Sequence, residues 1–226
     1  MSVDALTALA RSPSAGVDAV LSRGSALIAF VLMAIASLAS TLVAARIGHE
    51  ISANDLFFAQ TRQPWVQTMI DALGAQRTAV VLYLVQRSFD AVVFATAFSP
   101  IFFWLLGSSA VHASARLAGI RRPYRPILVL FAYATALTLV PANAASLALG
   151  VGNDLPSRLA GLVGWACLGW LAVIAFRAIR SHYGVENDRA VRILAVAVAL
   201  FYLVPLVLIV VAAVAVVIAA LVLEYI

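Results

Sequence analysis

The chain has 226 residues, 64% of them hydrophobic and 11% charged, with 15 basic residues against 10 acidic ones for a net charge of +5. So little charge cannot coat a soluble domain of this length, and the apolar residues fall in uncharged blocks of about 20 or more, enough to cross a bilayer. Every basic residue is arginine, and the arginines flank the apolar blocks, which points to membrane topology and excludes nucleic acid as a partner.

Residues 1–23 are polar to mildly amphipathic, with Arg11, Arg23 and a turn-like Ser12-Pro13-Ser14; a short surface helix is expected over Val17–Leu21. The first span covers 24–45 and is closed by Arg46. Its apolar zone is longer than a signal-peptide core, so it is read as a retained span. Residues 46–89 form an outer loop in which Phe57 and Phe58, then Trp65, Met69, Ile70 and Leu73 at helical spacing, suit an amphipathic interfacial helix. The second span is expected over 90–113 and is followed by the densest basic cluster, Arg116, Arg121, Arg122 and Arg125. The third covers 126–149 and ends at a turn at 152–156. The fourth covers 159–179, with Arg177, Arg180, Arg189 and Arg192 at and beyond its end. The fifth, 193–223, overruns a roughly 30 Å hydrocarbon layer, so a bend at Pro205, tilt or a re-entrant pair is needed.

This reading predicts an all-α, polytopic integral membrane protein with five transmembrane helices. Ten of the 15 arginines fall on one side of it, divided two, four and four among the inner segments. That asymmetry predicts an N-terminus in the cytoplasm and a C-terminus outside.

Intramembrane chemistry needs ionisable groups at depth, and few are present. Asp90 sits at the edge of the second span with Arg87 three residues before it, the spacing of an ion pair on one helical face. His112 shares a face with Ser108 and Ala115 and has no second metal-ligand partner nearby. Asn143 follows Pro141 closely enough to bond carbonyls that the proline frees. Pro100, Pro141 and Pro205 each interrupt a different span. No catalytic motif, metal site or cofactor site is legible, and the single cysteine, Cys167, lies within an apolar block. The fourth span carries Ala160, Gly161, Gly164, Cys167 and Gly169, and the small residues at 160 and 164 leave a shallow groove suited either to internal packing or to self-association.

The stretch VHASARLAGIRRPYRPILVLFAYATALTLVP, residues 111–141, resembles the Yip family of multipass membrane proteins, named for Rab/Ypt-GTPase interaction. His112, Ala115, Arg116, Leu117 and Gly119 resemble the end of a family span. Pro123, Tyr124 and Arg125 resemble the loop after it, and Ala132, Tyr133, Ala134 and Pro141 the following span. Ser12-Pro13 and VLSRGSAL (residues 20–27) are similar to the entry of prokaryotic members. Ile120 stands where the pattern has a second glycine, and the long cytoplasmic region of eukaryotic members has no counterpart before residue 24. The resemblance therefore implies architecture, five spans with the N-terminus inside, more than a GTPase contact. It also implies a bacterial inner membrane.

Two functions fit these observations. The first is a non-enzymatic scaffold or interaction protein whose partners are the bilayer and either another copy or another membrane protein. In it Arg116, Arg121, Arg122, Arg125, Arg177 and Arg180 would meet headgroups or a partner. The second is a small-solute transporter or permease subunit using Asp90, His112 and Asn143.

Overall fold

The structure, a computed structural model, describes residues 2–50, 64–150 and 154–224. Among these the regular elements are all helical. They are α1 (Ser2–Arg11), α2 (Pro13–Arg23), α3 (Ala26–Glu50), α4 (Pro64–Leu73), α5 (Ala75–Ala97), α6 (Ser99–Leu117), α7 (Arg125–Leu149), α8 (Leu155–Tyr183) and α9 (Asn187–Glu224). Among the described residues, five segments are long and apolar enough to cross a membrane: Ala26–Ile47, Ala75–Ala97, Arg125–Leu149, Leu155–Tyr183 and Asn187–Val211. Large apolar side chains on these helices stand exposed, among them Phe30, Phe94, Leu162, Trp165 and Leu208. In water that surface would drive aggregation; against lipid tails it is matched.

The residues before the first span form two helices where the sequence suggested one short one. Asp4 lies in the first turn of α1 and Arg11 in its last, both favourable to the helix dipole. Pro13 opens α2, where its missing N–H costs nothing. Gly16 lets α2 approach the backbone of α1 at Leu9, and Leu9, Val17 and Val20 are buried.

The second predicted span is divided. An uninterrupted helix over 90–113 was expected, but α5 ends at Ala97 and α6 begins at Ser99. Pro100 is the cause. It has no N–H with which to continue the ladder from α5. Phe98 closes α5 by donating to the Ala95 carbonyl at 3.0 Å, and its own carbonyl accepts from Ile101 at 3.0 Å. Pro100 is thus tolerated in the first turn of α6 and does not kink a span. Residues 79–85, too short to cross alone, belong to the 23-residue α5.

α4 occupies the Trp65–Leu73 stretch expected to be helical, while Phe57 and Phe58 lie outside the described residues. The Thr78 hydroxyl, fully buried, donates to Met69 and Gly74 carbonyls and fastens α5 to α4. At the start of α8, the Asp154 carboxylate accepts the Ser157 N–H at 3.3 Å. Hydrogen bonding by Ser157 holds that carboxyl below its usual range. α9 runs unbroken through Pro205 for 38 residues, ~57 Å as ideal helix, so it is one helix and not a re-entrant pair.

The chain forms two compact units. One comprises residues 1–29, 102–134 and 171–226; the other comprises 30–101 and 135–170. α3, α6, α7 and α8 contribute a segment to each. Fully buried Leu9, Ile127, Leu130, Tyr133, Ile174 and Ile179 make the core of the first. In the second, Met33, Ala36, Ser40, Thr135 and Thr138 are buried.

Candidate functional site

The polar residues of the first unit converge on the end of α6, the loop after it and the end of α8. Gly119 makes this possible. Its φ is +80°, and the N–H of Ile120 bonds the Ala115 carbonyl while that of Gly119 bonds Arg116. These two bonds define a Schellman stop, which needs a left-handed residue only at position 119. Ile120, standing where the family pattern has glycine, has an ordinary negative φ, so the isoleucine is accommodated without strain.

The chain then returns so that the Tyr124 hydroxyl lies 2.8 Å from Ser108 Oγ and 2.9 Å from Ser109 Oγ. The His112 ring stacks at a tilt on Tyr124, centroids 5.0 Å apart. Its Nε2 receives the Arg116 Nε–H at 3.2 Å, and its Nδ1 is 3.1 Å from the Tyr183 hydroxyl. Arginine can only donate, so Nε2 is an acceptor. The remaining nitrogen, Nδ1, therefore carries the proton and donates to Tyr183, and His112 is neutral. Trp104 Nε1 donates to the Leu128 carbonyl at 2.7 Å, His182 Nε2 to Pro123 at 3.0 Å, and Arg189 to Ala118 at the end of α6 at 2.7 Å. The cluster binds α6, α7, α8 and α9 together by hydrogen bonds from side chains that the fold itself satisfies.

Around it lie the arginines. Arg116, Arg121, Arg122, Arg125 and Arg177 are exposed, and Arg180 is half-buried. Arg177 and Arg180 line a cleft with Ser14, Asp18, Ser181 and Val185, and the Ser181 hydroxyl donates to Asp18. The first unit holds 10 of the 15 arginines and five acidic residues, hence the whole net charge of +5; the second holds five of each and is neutral.

The residues proposed for transport engage separate partners. Asp90, on α5, accepts from Gln86 at 2.7 Å and pairs with Arg87 at 3.8 Å, an exposed contact within one helix. Asn143 was expected to repair the backbone at Pro141, but its amide donates to Ser40 Oγ on α3 at 2.7 Å. Asp90 and Asn143 belong to the second unit, and His112 belongs to the first. Of the motif residues, Gly119 and Tyr124 build the α6–α7 turn, Tyr133 is fully buried in the first unit, and Pro141 is exposed within an unbroken α7.

On α8, Ala160 is buried, whereas a Cβ added at Gly161, Gly164 or Gly169 would meet nothing within 4 Å. Spacing could pick out the small residues but not which of them the fold had already covered. Tyr183, Asp18 and Ser181 carried no sequence signal, because their partners are 71 and 163 residues away.

Residues 7–209 match the family model of the Yip1 domain. No curated protein and no solved structure matches the chain. With the match covering most of its length and five helices able to span a bilayer, the chain belongs to the Yip1 domain family and is a multipass integral membrane protein.

Proposed function

We propose that this protein is a non-enzymatic membrane scaffold, associating through α8 with a second copy or another membrane protein. The observation that carries the reading is the open face of Gly161, Gly164 and Gly169. Small residues let a second helix backbone approach closely, and among the described residues nothing lies within 4 Å of where a Cβ would stand at these three glycines. Cys167, three residues after Gly164 and half-buried, lies beside that face and serves as a native probe. Oxidation in membranes is expected to give a Cys167–Cys167 dimer, reduced by Gly164→Leu. Monomers throughout, in mild detergent and after oxidation, with no membrane protein co-purifying, would falsify the scaffold reading.

The orientation proposed is N-terminus in the cytoplasm and C-terminus outside. The concentration of all net positive charge in the first unit supports it, because arginine-rich segments are retained on the cytoplasmic side. That face would attract anionic headgroups by about 1 kcal/mol per arginine near the surface. The likeness to prokaryotic members supports a bacterial inner membrane as the host bilayer. Labelling of single cysteines placed at residues 11 and 122 in right-side-out and inverted vesicles tests the orientation. Reaction from the outer face would reverse it.

A further inference from the structure

The cleft between α2 and α8 has the features of a built anion site. Arg177 and Arg180 lie one turn apart on α8 and, with Ser14, Asp18, Ser181 and Val185, enclose about 230 Å³. The Arg180 Nε is shielded from solvent and, among the described residues, has no hydrogen-bond partner. A shielded charged donor left unmet is costly, so Arg180, whose side chain is part of the cleft lining, carries a donor that the fold does not satisfy. Asp18, also on the cleft, accepts the Ser181 hydroxyl and makes no bond to that Nε. Ser14 is the second residue of the 11-residue α2, whose N-cap, Ser12, makes no side-chain capping bond. The partial positive charge of that helix end therefore adds to the two guanidinium groups.

We propose that this cleft binds the phosphodiester of a membrane glycerophospholipid. Two arginines against one aspartate leave a charge of +1, which one phosphodiester monoanion neutralises and a phosphomonoester dianion overshoots beside Asp18. Arg177 and Arg180 supply paired donors suited to phosphate oxygens, and Ser14 supplies a third. One turn before Arg177 on the same helix, Val173 is exposed and offers an apolar surface to an acyl chain. That apolar neighbour favours a lipid headgroup over a free phosphate ion, although both share the phosphate chemistry. The inference rests on reading the basic face as headgroup-facing, but not on orientation or self-association.

The test uses the purified 226-residue chain in detergent. Native mass spectrometry and thermal melting are followed during titration with phosphatidylglycerol, diacylglycerol and inorganic phosphate. One phosphatidylglycerol per chain should be retained and should raise the melting midpoint, with diacylglycerol inert. The paired change Arg177→Gln, Arg180→Gln should weaken retention by roughly tenfold or more, the loss expected for a charge-assisted hydrogen bond. Arg121→Gln with Arg122→Gln, on the exposed loop, should change it less than about twofold. Asp18→Asn leaves both arginines in place and should shift preference from phosphatidylglycerol toward dianionic phosphatidate, so the idea stays testable if the arginine pair fails to fold. Equal losses from the two arginine pairs, or an unchanged preference in Asp18→Asn, would overturn the site as diffuse charge. Full protection by inorganic phosphate, with no gain from phosphatidylglycerol, would overturn the lipid assignment. Failure here leaves Cys167 crosslinking and vesicle labelling unaffected.

Discussion

Gly16→Ala probes the packing of α2 on α1 in the first unit. A Cβ there would stand 2.2 Å from Leu9 Cα, 2.4 Å from Leu9 N and 2.8 Å from the Ala8 carbonyl carbon. All three are backbone atoms, so no side-chain rotation relieves the overlap. α1 must retreat by roughly 1.3 Å to restore a ~3.5 Å carbon–carbon contact. Leu9 is fully buried and Ala5 nearly so. Exposing a leucine side chain costs ~1.5–3 kcal/mol, so the docking of α1 should weaken by about 2 kcal/mol, roughly 30-fold in its opening equilibrium. Hydrogen exchange read by mass spectrometry should show faster exchange in peptides from α1, with α8 and α9 unchanged. Gly161→Ala, which adds the same methyl group into open space on α8, serves as the control. Unchanged α1 exchange in Gly16→Ala would refute the argument, and so would a loss of protection spread evenly over all helices.

At Gly119 the same alanine substitution acts through the backbone alone. A Cβ would touch nothing within 4 Å, but φ is +80°, so the cost is the left-handed penalty of ~1–2 kcal/mol. That predicts a melting midpoint lower by about 2–8 °C, with asparagine milder than alanine. In the second unit, Asn143→Leu should lose the bond to Ser40, worth ~0.6–1.7 kcal/mol between membrane helices. A double-mutant cycle with Ser40→Ala should return a coupling of that size; strictly additive losses would show that the bond contributes nothing.

The span pattern was legible because lipid imposes a length and an apolarity that few other solvents require. Blocks near 24–45, 126–149 and 159–179 correspond to α3, α7 and α8 with ends shifted by a few residues. The break at Phe98 was not legible from hydropathy, since Phe98, Ser99 and Pro100 lie within a run that is apolar on average. The stereochemistry of Pro100 decided it. The α1–α2 pair was underread for the opposite reason. Its composition is polar to mildly amphipathic, and the close packing of α2 on α1 at Gly16 is a three-dimensional feature that composition does not show. At the candidate site the arginines were visible and their partners were not. Arg116 pairs with a residue on its own helix, but Asp18 with Ser181 and His112 with Tyr183 are joined only by the fold. The fate of the α8 glycines was likewise a three-dimensional question, because helical spacing is the same for an occupied face and an open one.

The residues that carry the family likeness and the residues that carry charge divide the work of the first unit. Gly119 turns the chain, Tyr124 locks it to Ser108 and Ser109, His112 stacks on Tyr124, and Tyr133 fills the core below. Each of these groups is consumed by the fold. Its hydrogen bonds are met, or its surface is covered, before any outside molecule arrives. Arg121 and Arg122 ride on the exposed turn that those contacts hold in place, and Arg177 and Arg180 stand at a cleft between two other helices. The exposed guanidinium groups of Arg121, Arg122 and Arg177 can meet an outside molecule in a way that a buried or satisfied tyrosine cannot. The family motif therefore sets where Arg121 and Arg122 stand, while Arg177 and Arg180 are set by α8, with Asp18 of α2 on the same cleft.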